Sequence, residues 1–95
     1  MAKTRTIVRI AGRDYPITSN DGEEYVRRVA RFVDRKISEL SVATRLPATE
    51  CATLAAVTIA DELAKSHEEI TRLRAQMESE RAELQALRAE KEAKA

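Results

Sequence analysis

The chain has 95 residues with a formal net charge of +1, and only 3% of them are aromatic. Two glycines and two prolines leave few helix breakers, and a single cysteine excludes an internal disulfide and fits a reducing cytoplasm. The sequence therefore predicts one small, mainly helical, cytoplasmic domain, without a signal peptide or the ~20 consecutive apolar residues that a membrane helix needs.

The first 18 residues predict a β-hairpin over 4–18. The run 4–11 is rich in β-branched residues, and its period-2 pattern puts arginines on one face and apolar residues on the other. A turn signal follows at 12–14, and Pro16 restricts the second short strand to a sheet edge. Because a lone hairpin is only marginally stable in water, a helix must cover it.

A first helix is predicted from about 21 to about 41. Asn20 followed by Glu23 resembles a capping box, in which two side chains satisfy free N–H groups of the first turn. The apolar residues recur at helical spacing and form one stripe. Its members are Val26, Val29, Val33, Ile37 and Leu40, widened by Tyr25, Ala30 and Phe32.

The opposite face of this helix carries Arg27, Arg31 and Arg35, spaced four residues apart. Three interpretations stay open for these arginines: a solvated face, a surface for an acidic protein partner, or a nucleic-acid site. The near-neutral chain and the absence of interleaved aromatic residues count against nucleic acid, so no nucleic-acid partner is expected.

Residues 1–46 are predicted to form a head, and residues 47–95 one long helix, because neither Gly nor Pro follows Pro47. Segment 51–63 is apolar nearly all round, which predicts packing in the head core and against a second subunit. From 63 to 90 the apolar residues narrow to a heptad seam, typical of a coiled coil. The residues predicted to drive oligomerisation are Leu54, Ile59, Leu63, Ile70, Leu73, Met77, Leu84 and Leu87.

The charged residues beside the seam favour a parallel pair of helices. In that orientation Glu69 faces Arg74 of the other helix and Glu83 faces Arg88, whereas an antiparallel pair would juxtapose like charges. The seam has weak points, among them Glu80. The fold class predicted is therefore α+β and mainly helical: a small N-terminal β-hairpin plus helix head, followed by a long C-terminal coiled-coil helix.

Nothing in the sequence supports catalysis, a metal or a cofactor. His67 is the only histidine and flanks the seam, where a solvated side chain is expected. Cys51 lies in the apolar segment, where a small packing residue is expected. The sequence predicts a self-associating binding protein rather than an enzyme.

Three blocks in this order and spacing resemble the ZapA family of bacterial cell-division proteins. They are Ile10-Ala-Gly-Arg13 followed by Tyr15-Pro-Ile, then Glu23 to Lys36, and then Thr53-Leu-Ala-Ala-Val-Thr-Ile-Ala-Asp-Glu-Leu63. The resemblance covers Ile7 to Leu63 by motif, although Val57-Thr58 stands where the family usually has Leu-Asn.

The resemblance implies a homodimer, or a tetramer, that binds the tubulin-like GTPase FtsZ and cross-links its protofilaments at the mid-cell division ring. It places FtsZ contacts at Arg13 and Glu50, to which the arginine face of the first helix adds a candidate. Two alternatives stay open. One is a generic coiled-coil adaptor with another protein partner, and the other is a small nucleic-acid-binding protein that uses the basic face.

Overall fold

The structure is a computed structural model that describes residues 3–94. Its elements follow in the order β1 (Thr4–Ile10), β2 (Arg13–Ser19), α1 (Glu23–Thr44) and α2 (Ala48–Lys94). The predicted mainly helical α+β fold, with an N-terminal hairpin before two helices, is confirmed. The chain forms two compact units, one ending at Ile59 and the other beginning at Ala60.

The hairpin closes through a two-residue loop of Ala11 and Gly12, because Ile10 pairs directly with Arg13. Both loop residues have positive φ, 52° and 80°, as in a type I′ turn, whose twist matches that of the flanking strands. The turn predicted at 12–14 therefore lies one residue too late. The Ala11 N–H donates a 2.9 Å hydrogen bond to the Asp34 carboxylate of α1, which holds this alanine in its unusual conformation.

One face of the hairpin packs on α1. Thr6 and Val8 of β1 are buried beneath the helix, and Val8 forms a core cluster with Val26 and Ala30. The alternation along β1 follows the predicted pattern, since intervening residues of the strand are exposed. The covered half of the sheet is thus the β1 half, and the inward residues of β2 stay partly open.

A second core cluster joins α1 to the start of α2. Ile37 packs against Cys51 and Ala55, and Leu40 lies against the same cluster. Cys51 is a fully buried free thiol whose Sγ lies 3.4 Å from the Leu46 carbonyl oxygen. Cys51 is therefore a small, buried packing residue, as the sequence predicts.

The ends of α1 differ from the prediction. Gly22 is the N-cap and no side chain caps the first turn, so the predicted capping box of Asn20 and Glu23 is wrong. The physical reason is that the Glu23 carboxylate accepts hydrogen bonds from Arg27, one turn along the helix. At the other end the helix continues to Thr44, and Arg45 closes it in a left-handed conformation with a 2.9 Å bond from its N–H to the Ser41 carbonyl.

The part of α2 within the first unit buries less than its sequence suggests. Cys51 and Ala55 are buried, but Leu54 and Val57 are exposed in the single chain. Of the apolar segment, only the side that faces α1 is therefore covered. Within the described residues, no helix combines the length and the hydropathy that a membrane span requires.

Candidate protein-binding surfaces

A groove of about 490 Å³ lies between the hairpin and the first turns of α2. Its floor is apolar, with Ile10, Ile17 and Ile37, and its far wall consists of small residues of α2, including Ala52. We call it the hairpin groove. It exists because α1 covers β1 and leaves the inward face of β2 open, so Ile17 is only partly covered.

Arg13 stands at this groove. It pairs with Ile10 across the hairpin, and directly paired residues point to the same face of a sheet. Its guanidinium has no hydrogen bond or ion pair within residues 3–94, whereas the neighbouring Asp14, on the outer face, pairs with Arg9 at 3.1 Å. The groove therefore combines an apolar floor with one available cation, which suits a partner segment carrying both an apolar side chain and a carboxylate.

Glu50 does not line the hairpin groove. It precedes Ala52 of the groove wall by two residues, and at ~100° per residue this turns its side chain ~200° away about the helix axis. Glu50 instead shares a face of α2 with Leu54, one turn later. Within one chain the two FtsZ-contact positions implied by the resemblance, Arg13 and Glu50, are thus not brought together in one groove.

The arginines of α1 border the free edge of β1. Arg27 donates to the Glu23 carboxylate at 2.7 Å and to the Ile7 carbonyl at 3.3 Å, so part of its bonding capacity is used inside the head. Arg31, one turn along, has no bond within the described chain, and Arg35 follows a further turn on. The structure adds Arg9, which sequence reasoning missed, because only the packing of β1 on α1 brings it beside Arg27 and Arg31.

The other flank of α1 is apolar and largely uncovered. Tyr25, Val29 and Phe32 are all exposed, beside a concavity of about 320 Å³ that also involves Ile17. Arg28 lies over the Tyr25 ring at 5.4 Å, a cation–π contact that leaves the ring partly in water. The predicted apolar stripe is therefore wider than the hairpin can cover, and its remainder needs another surface.

The second unit exposes the whole predicted seam of α2. Its six large apolar residues are between 42% and 68% exposed in the single chain. They are Leu63, Ile70, Leu73, Met77, Leu84 and Leu87. An exposed apolar row of this kind is typical of a protein–protein contact surface.

Comparison with known proteins identifies the family. Residues 7–91 match the family model for the cell division protein ZapA. The chain belongs to the ZapA family. A ZapA of Geobacillus kaustophilus is 44% identical over 80 residues, covering 83% of this chain and 88% of that protein. A ZapA of Geobacillus thermodenitrificans is 42% identical over the same length, with the same coverage of both chains.

The fold comparison agrees. A solved ZapA mutant dimer from Geobacillus stearothermophilus superposes with a TM-score of 0.66 at 43% identity, covering 82% of this chain and 92% of that one. The family resemblance inferred from the three sequence blocks is confirmed. ZapA is a family of structural cell-division proteins, which gives the chain a role in cell division.

The described residues of this ZapA-family chain contain no group of three or more His, Cys, Asp or Glu side chains that could hold a metal ion. His67 is exposed on α2. On the same helix Arg72 donates a 3.1 Å hydrogen bond to Glu69, and this bond lowers the pKa of the Glu69 carboxyl. Glu69, predicted to face Arg74 of another helix, thus has a partner on its own helix, and the parallel orientation stays a prediction.

Proposed function

We propose that this chain is a homodimeric or tetrameric scaffold that binds FtsZ through its heads and cross-links FtsZ protofilaments at the cytoplasmic mid-cell ring. The observation that carries the proposal is the uncovered seam of large apolar residues on α2. An assembly built on that seam carries at least two identical heads. Each head needs only a weak filament contact, because linking two of them multiplies the overall affinity.

Self-association has support from both units. The apolar flank of α1, with Tyr25, Val29 and Phe32, is uncovered in the head, and the seam is uncovered in the second unit. Exposed apolar surface on this scale is unusual for a monomer and typical of a protein that buries it against a partner. The ZapA relative whose structure matches is itself described as a dimer.

The hairpin groove is the surface that we propose for the principal FtsZ contact. Arg13 supplies its cation, and the floor supplies apolar area without charge. Glu50 with Leu54 forms a separate face, so we propose that it contributes a second, independent contact. The arginines Arg27, Arg31 and Arg35 favour acidic filament surfaces in the same way, and all these charged contacts weaken as salt rises.

The Arg13→Glu variant should keep its oligomeric state but lose most of its bundling of FtsZ. Loss of one charge-assisted contact, with repulsion in its place, weakens each head by about tenfold or more. Light scattering and low-speed pelleting of FtsZ polymers measure the bundling. Arg5→Glu is the matched control, since Arg5 carries the same charge, is exposed on β1 and lies outside the groove.

Pelleting also separates the alternatives. A chain that co-sediments with duplex DNA and never with FtsZ polymers is a nucleic-acid-binding protein, and the proposal fails. A chain that self-associates but binds neither FtsZ polymers nor duplex DNA is an adaptor for another partner. Unchanged scattering with Arg13→Glu, while the wild type bundles, moves the contact from the groove to another surface of the head.

A further inference from the structure

We infer that two of the α1 arginines proposed above to favour acidic surfaces, Arg27 and Arg31, belong to a defined binding site apart from the hairpin groove, which takes an acidic segment of a partner protein; the inference deepens the proposed function at these arginines. The surface is a concavity of about 180 Å³ lined by Val8, Arg9, Arg27, Ala30 and Arg31. We call it the arginine concavity. It shares no lining residue with the hairpin groove, where Arg13 stands.

The walls and the floor of the arginine concavity differ in chemistry. Val8 and Ala30 are buried and form an apolar floor, and Arg27 and Arg31 of α1 line one side of it, with Arg9 of β1 on the other. A guanidinium presents a planar fork that bonds a carboxylate through two parallel N–H donors. Glutamate matches this arrangement, because its aliphatic stem can lie on the floor while its carboxylate meets the walls.

Two of the three arginines are already held in place. Arg27 is bonded to the Glu23 carboxylate and to the Ile7 carbonyl, and Arg9 pairs with Asp14 at 3.1 Å. Arg31 has no partner among residues 3–94 and is left to meet an incoming carboxylate. Fixed neighbours lower the ordering cost of binding, since fewer side chains lose rotamer freedom when the partner arrives.

The free edge of β1 restricts how a segment can bind here. Ile10 and Arg13 close a two-residue hairpin loop, so the backbone groups of Arg5, Ile7 and Arg9 point away from β2. Arg27 already occupies the Ile7 carbonyl, which blocks continuous strand addition along this edge. Binding therefore depends on side-chain carboxylates rather than on backbone pairing, and falls steeply with salt.

The neighbouring charges favour a protein segment over nucleic acid. The adjoining concavity is lined by Glu23 and Glu24 together with Arg27 and Arg31, so the sign of the charge alternates along the helix. A continuous phosphate backbone would meet these carboxylates. A polypeptide with spaced acidic residues avoids them.

The test is fluorescence anisotropy of the 95-residue chain with a labelled glutamate-rich peptide, and with the same peptide carrying glutamine in place of glutamate. The wild type should bind the acidic peptide, lose it as salt rises, and bind the glutamine form at least about tenfold more weakly. Arg31→Glu should weaken binding of the acidic peptide at least about tenfold. Arg31→Gln should give a smaller loss, and circular dichroism should show unchanged helicity, since Arg31 is exposed and unbonded.

Arg5→Glu is the matched control, because it makes the same charge change at an exposed position of β1 that lines neither the arginine concavity nor the hairpin groove. It should bind the peptide like the wild type. The inference is overturned by any of three results: no peptide binding by the wild type, equal binding by Arg31→Glu, or duplex DNA binding more tightly than the peptide. The two proposals fail separately: without peptide binding, the principal FtsZ contact at the hairpin groove still stands, and without bundling of FtsZ, binding of the acidic peptide at Arg31 still stands.

Discussion

Ile70→Lys should shift the chain from dimer to monomer over the concentration range in which the wild type is associated. Ile70 occupies the centre of the seam and is 42% exposed in a single chain, so pairing of α2 with another helix would cover it. The variant removes about 1.5–3 kcal/mol of burial from each chain. In the predicted parallel pairing it also places two ammonium groups opposite one another in an apolar contact, which costs more still. The dissociation constant should rise by about 100-fold or more.

Sedimentation velocity at several concentrations measures this shift directly. Thr71→Lys is the matched control, because the neighbouring position makes the same charge change ~100° around the helix, outside the seam. The control should sediment like the wild type. An Ile70→Lys chain with an unchanged oligomer would show that the seam lies elsewhere or that the heads alone hold the assembly.

The secondary structure of the head was largely predictable from local patterns. Alternation along β1 and helical spacing along α1 are both properties of adjacent residues, and each was read correctly. The turn lies at Ala11 and Gly12, one residue earlier than predicted. A glycine indicates a turn with positive φ, but it does not indicate which of its two neighbours also has positive φ. Ala11 accepts that conformation because Asp34, far along the chain, bonds its N–H.

The prediction of a capping box at the start of α1 was wrong for a similar reason. Asn20 and Glu23 have the spacing of a capping box, but the spacing does not show what else the glutamate contacts. Arg27 bonds Glu23 and also reaches the Ile7 carbonyl of another element. Competition of this kind depends on tertiary packing, so the local sequence carries no sign of it.

The sequence predicts which residues belong to the candidate binding surfaces, but not which of those residues lie close together. Arg13, Glu50 and the arginines of α1 stay predicted contacts, and their grouping depends on how the elements pack. The sequence gives no sign that Arg9 joins Arg27 and Arg31, or that Glu50 turns away from the groove at Arg13. Periodicity predicts the face of an element, whereas a site requires the relation between two elements.

Ile37→Ala should be the most destabilising single truncation in the head. Ile37 is 7% exposed and contacts Cys51 and Ala55, so it is a large buried side chain in the cluster that joins α1 to α2. Truncation of a buried isoleucine to alanine costs about 2–5 kcal/mol, from lost transfer energy and the cavity that remains. A small domain has a total stability of only about 5–15 kcal/mol, so a large fraction would be lost.

Urea unfolding followed by circular dichroism measures this loss, at one fixed protein concentration because association also stabilises the folded chain. Val42→Ala is the control: it truncates an apolar residue of the same helix that is 79% exposed, and its midpoint should barely move. Equal midpoints for the two variants would mean that α1 and α2 are not held together at Ile37.

Because Ile37 also forms part of the groove floor beside Arg13, the same truncation should weaken FtsZ bundling even where the chain remains folded. Arg13→Glu should reduce bundling without changing the midpoint of urea unfolding. The two variants together therefore separate the contribution of the groove's shape to bundling from the contribution of its charge.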